Sequence, residues 1–308
     1  MKIVYAGAPV FSVPPLEQLL AAGFCVCAVL TQPDRPVGRK AKLTPTPLKT
    51  FAEGAGIPVL CYEKVRAHAA ELAALGADVM VTCAYGQILT QEVLDAFPGG
   101  VYNIHASLLP RWRGASPIQH AILAGDAETG VTVMKTDVGL DTGDILLSRA
   151  VRLDGTETAA TLSRTLSALG GACICEALAA VGAGRATFTP QGEGATLCKK
   201  IRKDTCAVDF TRPAAELSRL VRAMAPEPLA FSSLRGTPVN FGYALPAEGE
   251  GAPCGRVLRA DKTGIYIAAG EGALRVTELQ FAGGKMLRAA DAVNGRKVAV
   301  GDLFGDGR

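Results

Sequence analysis

Asn103 and His105 stand two residues apart at the end of the apolar run GVYNIH (100–105), and the loop SLLPRWRG (107–114) follows directly. Side chains alternate along an extended segment, so positions 103 and 105 share a face. An amide N–H and an imidazole N–H that converge on one point can polarise a carbonyl and stabilise the oxyanion formed when it is attacked. The same spacing also lets two buried polar groups satisfy each other. His68 and His120, the other two histidines, fall on helix-like segments and read as structural. Moving a proton needs a further group, and the loop DVGLDTGD (137–144) offers Asp137, Asp141 and Asp144. Its glycines allow the backbone close to a ligand. Carboxylates on short loops more often cap turns than catalyse, so composition leaves this loop undecided.

These groups can act together only if the fold brings a strand end and a loop to one place. KIVYAG (2–7), CVCAVLT (25–31), IPVLC (57–61), DVMVTCA (78–84) and GVYNIH are short apolar runs of the kind buried on both faces of a sheet. Helix-like segments lie between them: PPLEQLLAAG closing on Gly23, PLKTFAEGAG, HAAELAALG closing on Gly76, and TQEVLDAF with Thr90 as N-cap. Strand and helix alternating in this way predict a mostly parallel sheet covered by helices, with ligands at the carboxyl ends of its strands. The loops after Ala6, Ala84 and His105 are therefore where chemistry is expected. The first of them is not a dinucleotide fingerprint, because Pro9 stands where a second glycine would approach a pyrophosphate; no P-loop string occurs either. Gly7 reads instead as a tight turn that leaves room for a ligand or a neighbouring strand.

Further along come a helix (SPIQHAILAG), a strand (TGVTVMKT), the strand ILLSRAVRL, and a long helix within 158–182 opened by Thr156 or Thr158. Residues 183–209 lose apolar periodicity and read as a linker region. One amphipathic helix (213–224) then precedes five short alternating strands separated by Gly and Asp, a pattern of small antiparallel barrels. The fold class expected is α/β, a Rossmann-like mostly parallel sheet followed by a smaller OB-like β-barrel. The expected division is a catalytic domain at 1–189, a linker at 190–208 and a barrel domain at 209–308.

A chain of 308 residues commonly exceeds one undivided core, which agrees with two domains. The nine cysteines are odd in number and contain no C-x-x-C, so they read as reduced and structural, with Cys25, Cys27, Cys61 and Cys83 as small apolar residues in strands. No run long enough to cross a bilayer and no secretory leader stands out, which predicts a cytoplasmic protein without a membrane partner. The charge is uneven. Residues 1–195 carry 15 Lys and Arg against 17 Asp and Glu, whereas residues 196–308 carry 17 against 12. A basic tail suits either a polyanionic partner, through counterion release from phosphates, or plain solvation.

The pattern Asn103-x-His105, followed by Ser107-Leu108-Leu109-Pro110 and then Leu140-Asp141-Thr142-Gly143, resembles the 10-formyltetrahydrofolate-dependent formyltransferases. TQPDRPVGR (31–39), AYGQIL (84–89), SLLPRWRGASPIQ (107–119), GDAETGVTVMKTDVGLDTGDIL (125–146) and RVTELQFAGGKML (275–287) are similar to the branch of that family acting on aminoacyl-tRNA. The resemblance implies that Asn103, His105 and Asp141 are catalytic, with Asn103 and protonated His105 bonding the oxyanion and Asp141 orienting His105. It implies a folate site formed by Ser107, Leu108, Leu109 and Pro110 with Tyr85, Gly86 and Ile88. It also implies 10-formyltetrahydrofolate as co-substrate, without metal or NAD, and initiator methionyl-tRNA as acceptor for a monomeric enzyme.

The Pro-rich basic loop 31–49 would carry the tRNA contacts Arg35, Arg39, Lys40 and Lys42, with Arg39 foremost. Lys199, Lys200, Arg202 and Lys203 would extend the phosphate-tracking surface. Two departures from the family pattern stand out: Ala8 replaces a common Thr, and Ala225-Pro226-Glu227-Pro228 replaces a segment that often holds a Trp. The competing expectations are a formyltransferase acting on an amino-sugar nucleotide or a purine precursor, and a non-catalytic RNA-binding protein. The role of Trp112 is left open by the sequence.

Overall fold

The computed structural model describes residues 1–38, 41–249 and 251–305. Arg39 and Lys40 thus lie outside the described residues. The chain forms two compact units. The first comprises 1–117, 129–151 and 163–198, and the second comprises 118–128, 152–162 and 199–308.

The first unit is built on seven strands: β1 (Lys2–Gly7), β2 (Cys25–Thr31), β5 (Val59–Cys61), β6 (Val79–Cys83), β7 (Val101–His105), β9 (Glu128–Lys135) and β10 (Ile145–Arg152). Four shorter strands complete it: β3 (Arg35–Val37) pairs with β4 (Lys42–Thr44), and β8 (Arg113–Gly114) pairs with β11 (Leu197–Cys198). The large sheet runs β10-β9-β7-β6-β1-β2-β5. Its pairs β5/β2, β2/β1, β1/β6 and β6/β7 are parallel, and β7/β9 is antiparallel. The near-continuous apolar runs are explained by burial on both faces, which β6 shows along its whole length. On one face Val4, Ala6, Ala28, Leu30 and Met80 join Val65, Leu72, Val93 and Phe97 in one core cluster.

The helices follow the expected punctuation, namely α1 (Val13–Ala21), α2 (Pro47–Gly54), α3 (Ala69–Ala74), α4 (Gln91–Asp95), α5 (Pro117–Ala124) and α6 (Ala159–Gly182). Thr46 caps α2 by accepting from Lys49 N at 3.1 Å, and Thr158 caps α6 by accepting from Thr161 N at 3.2 Å. Thr90 occupies the N-cap position of α4, yet its hydroxyl makes no capping bond. With 24 residues and a window of mean hydropathy 1.5, α6 is long and apolar enough by length and composition to cross a membrane, contrary to the expectation that no run reaches that length. Leu166, Ile174 and Leu178 on it are fully buried, the pattern of a core helix. The nine cysteines are free, but Cys25 and Cys61 are exposed, because they sit at a strand's first and last residue rather than in its buried middle.

Strand order reverses between β1 and β6, the switch point at which ligands bind open sheets. Gly7 ends β1 there. A Cβ at position 7 would lie 2.7 Å from the Cys83 carbonyl and 2.6 Å from Ser12 Cβ, so the glycine is required by the close approach of β6 and of the turn that follows β1.

The second unit holds α7 (Ala214–Met224), the strands β12 (Ala230–Leu234), β13 (Thr237–Ala247), β14 (Val257–Asp261), β15 (Gly264–Ala268), β16 (Ala273–Phe281) and β17 (Met286–Arg288), and α8 (Ala289–Asn294). The order is β12-β13-β16-β15-β14, with β17 on β16, and the paired strands run antiparallel. Leu303 bridges Arg256 beside β14, and Phe304 bridges Leu234 of β12, so the last described segment joins the two edges. Phe210, Phe241 and Phe304 meet inside, with ring centroids 5.7 to 6.4 Å apart.

Replacing Gly7 with Ala must displace backbone at the switch point, an overpacking that costs about 1–3 kcal/mol. Urea unfolding of Gly7→Ala is expected to show a lowered midpoint with an unchanged slope; a wild-type midpoint would contradict the close approach.

Candidate active site

Asn103 and His105 sit at the carboxyl end of β7, on the same face. Asn103 pairs in register with Thr82 of β6 and Met134 of β9, and His105 pairs with Thr132 of β9. The Thr82 hydroxyl donates to Asn103 Oδ1 at 2.8 Å. In this arrangement the carbonyl end of the amide is taken up by Thr82 and Nδ2 is left as the donor for a ligand. Sequence reasoning misses Thr82, whose only signal there is a Thr in an otherwise apolar strand.

His105 is only 5% exposed. Its Nε2 lies 2.9 Å from the Trp112 carbonyl, and a carbonyl only accepts, so Nε2 carries a proton. Nδ1 faces Asp141 Oδ2 at 3.7 Å, which is beyond a direct hydrogen bond. The expected oxyanion donor is therefore narrowed. Nε2 is already committed to the backbone, and only a protonated Nδ1, on the edge shared with Asp141, remains to meet a substrate oxygen.

Of the three loop carboxylates, Asp137 does the turn-capping. It accepts from Gly139 N at 3.0 Å and from the Thr142 hydroxyl at 2.7 Å. Asp141 turns the other way, accepting from Gly114 N at 2.8 Å while facing His105. Its backbone has φ 52, a left-handed conformation uncommon outside glycine, so the surroundings must hold it. The segment after Thr189 does so. Gln191 Nε2 donates to the carbonyls of Asp141 at 2.9 Å and Gly143 at 2.8 Å, and its Oε1 accepts from Arg113 Nε and Nη2 at 2.9 and 2.6 Å. Thr196 Oγ1 accepts from Trp112 N at 2.9 Å, and the Cys198 thiol donates to the Trp112 carbonyl at 3.3 Å. A stretch whose composition reads as linker thus belongs to the site. Gln, Thr and Gly serve buried hydrogen bonding as readily as solvation, so composition could not separate the two.

Thr132 organises the loop after β7, donating to Ser107 O at 2.8 Å and accepting from Leu109 N at 3.1 Å. Ser107 is fully buried and its hydroxyl donates to Arg111 O, so it shapes the loop from within rather than offering its side chain to a ligand. Leu109 is buried as well, while Leu108 and Pro110 are partly exposed. The loop after β6 contributes in a similarly divided way. Tyr85 is buried in the core, where burial pushes its phenol well above the ordinary value, and its hydroxyl has no partner among the described residues. Gly86 is exposed with φ 79, and Ile88 is 84% exposed. Gln32, just after β2, donates to Tyr85 O at 2.8 Å and so ties two of these loops together.

Since β2, β6 and β7 run parallel, the loops that follow them leave the same end of the sheet. The β3–β4 hairpin belongs to the first of these loops and exposes Arg35 and Lys42. Lys49 is spent on Asp34 at 2.8 Å. In the second unit Lys199, Lys200, Arg202 and Lys203 are exposed, and Arg202 pairs with Asp204 at 3.1 Å.

Residues 1–178 match the model of the formyl transferase family, and residues 200–297 match that of the formyl transferase C-terminal domain. The chain belongs to the formyl transferase family. Its curated relatives in the family include a methionyl-tRNA formyltransferase of Stutzerimonas stutzeri, 48% identical over 96% of this chain and 95% of that protein. Another, from Chromobacterium violaceum, is 46% identical over 99% of this chain and 100% of that protein. Among solved structures, HypX of Aquifex aeolicus in complex with tetrahydrofolic acid matches with a TM-score of 0.67 at 20% identity, over 97% of this chain and 48% of that one. At that identity the likeness concerns the fold, a mostly parallel sheet followed by a strand-rich unit.

Thr82 meets the carbonyl end of the Asn103 amide and so bears on which way Nδ2 points. Thr82→Val is expected to lower kcat about tenfold while KM for the folate stays put, since a misdirected donor loses part of its transition-state interaction. Thr82→Ser is expected to restore it. Wild-type kcat in Thr82→Val would remove Thr82 from this role.

Proposed function

We propose that the chain transfers the formyl group of 10-formyltetrahydrofolate to the α-amino group of initiator methionyl-tRNA, in the cytoplasm. The observation that carries this reading is the convergence, at one strand end, of a directed amide donor, Asn103 Nδ2, with the His105 and Asp141 pair. That donor set fits a formyl carbonyl, which needs N–H groups at its oxygen and a proton carrier beside the amine. The exposed Ile88 and the partly exposed Leu108 and Pro110 suit the apolar body of a folate. The relatives' name and the bound tetrahydrofolic acid of HypX support the same pair of substrates.

The bound folate supplies the formyl carbon and a departing N10. Asn103 Nδ2 and protonated Nδ1 of His105 donate to the formyl oxygen as charge builds on it. Asp141, held by Gly114 N–H, accepts the proton that the amine gives up and passes it toward N10 through His105 or a water. The amine must be neutral to attack, and α-amino groups titrate near pH ~8, so little further activation is needed. Arg35 and Lys42 on the hairpin meet the acceptor stem, and Arg39 and Lys40 join them in this proposal. Lys199, Lys200, Arg202 and Lys203 track phosphates further along the tRNA.

The test supplies 10-formyltetrahydrofolate with initiator methionyl-tRNA, elongator methionyl-tRNA or an amino-sugar nucleotide. Formylation of the initiator is expected, and transfer to the sugar alone would overturn the reading. Asn103→Ala should lower turnover on the tRNA by roughly 10²–10³, the cost of one oxyanion donor. Replacing Arg35 and Lys42 with Ala should weaken tRNA binding and reduce its salt slope by about one for each phosphate no longer neutralised, with folate KM unchanged. An unaltered slope would take the hairpin out of the interface.

A further inference from the structure

The left-handed backbone of Asp141 places its carboxylate toward His105, and L side chains rarely adopt that conformation unless something holds it. The amide of Gln191 is the group that does so. Its two N–H bonds end on the carbonyls of Asp141 and Gly143, on either side of Thr142, so it grips the loop at two points. Its oxygen is taken by the Arg113 guanidinium, which can only donate, so the amide can face only one way. Arg113 precedes Gly114, whose N–H holds the Asp141 carboxylate itself at 2.8 Å. Gly114 could not carry a side chain there, since a Cβ would lie 2.5 Å from the Cys198 carbonyl. Main chain and side chain of Asp141 are therefore fixed from the same short stretch of structure, β8 with the 191–198 segment beside it.

We propose that Gln191 is a positioning residue of the transfer reaction: clamped by Arg113, it sets the Asp141 carboxylate against His105 and acts on turnover through Asp141 alone. The proposal rests on the formyl-transfer reading for its kinetic half. Its structural half, the hold on Asp141, stands without any acceptor.

Two measurements test it. Amide hydrogen exchange at Gly114 reports the Asp141 carboxylate directly and needs no substrate; Gln191→Ala is expected to speed exchange at Gly114 and along 137–144 while β1 and β6 keep their protection. In the formyl-transfer assay, Gln191→Ala should lower kcat roughly 10–100-fold, the scale of a misplacement of about 1 Å, with both KM values within about twofold of wild type. In an Asp141→Asn background the same substitution should add less than about threefold, because residues acting as one unit are not additive. Gln191→Glu keeps the Arg113 pairing but turns oxygen toward the two carbonyls, and it should lose kcat at least as strongly while unfolding at the wild-type temperature. Unchanged exchange at Gly114 in Gln191→Ala, or losses that multiply in full with those of Asp141→Asn, would overturn the proposal. A wild-type protein that leaves methionyl-tRNA unformylated would overturn the functional reading instead, and the exchange result would still decide the hold on Asp141.

Discussion

The bond from His105 Nε2 to the Trp112 carbonyl determines what the rest of the site can be. A neutral imidazole has one N–H, and this bond assigns it to Nε2. Nδ1 is then the nitrogen with a lone pair in the neutral ring, and the loop 137–144 brings the Asp141 carboxylate to that side. The backbone of Trp112 is held at its N–H by Thr196 and at its carbonyl by Cys198, whose segment pairs with β8 through β11. Strand end, acidic loop and returning segment are separate in sequence, yet each bears on the orientation of one ring.

Much of the sheet was legible because buried parallel strands are nearly continuous apolar runs, and KIVYAG, DVMVTC and VYNIH could hardly be anything else. Asn103 and His105 could be picked out because they share a strand face at the end of an apolar run, whereas Asp141 was set apart from Asp137 and Asp144 only by the resemblance to the formyltransferases. Thr82 and Gln191 were not legible. Their contribution is a hydrogen bond across 21 positions in one case and 48 to 78 in the other, and no local pattern encodes such a partner. Ser107 and Tyr85 show the converse. They belong to the motifs that resemble a folate site, but the fold turns their side chains into the interior, and the surface those motifs offer comes from Gly86, Ile88, Leu108 and Pro110.

The five alternating runs of the second unit were readable as antiparallel strands from period-two patterning and hairpin glycines. β17 and α8 were not, since MLR and AADAVN are too short to show any period. The basic excess of residues 196–308 is a property of composition, and the structure adds which cations stay in solvent: Lys199, Lys200 and Lys203 do, whereas Arg202 spends part of its charge on Asp204.

The bridges made by Leu303 and Phe304 bear on how the second unit is assembled in time. Phe304 pairs with Leu234 across 70 positions, and until the 303–304 segment docks, the outer edge of β14 and the Leu234 end of β12, whose Phe231 is already bridged by Ala207, keep unpaired backbone groups. A polypeptide emerging from the ribosome presents those edges before it can present residue 304. Closure of this unit is therefore a late, long-range event that waits on synthesis of its final segment, whereas the sheet of the first unit can pair β1, β2, β6 and β7 as soon as the first hundred or so residues are available.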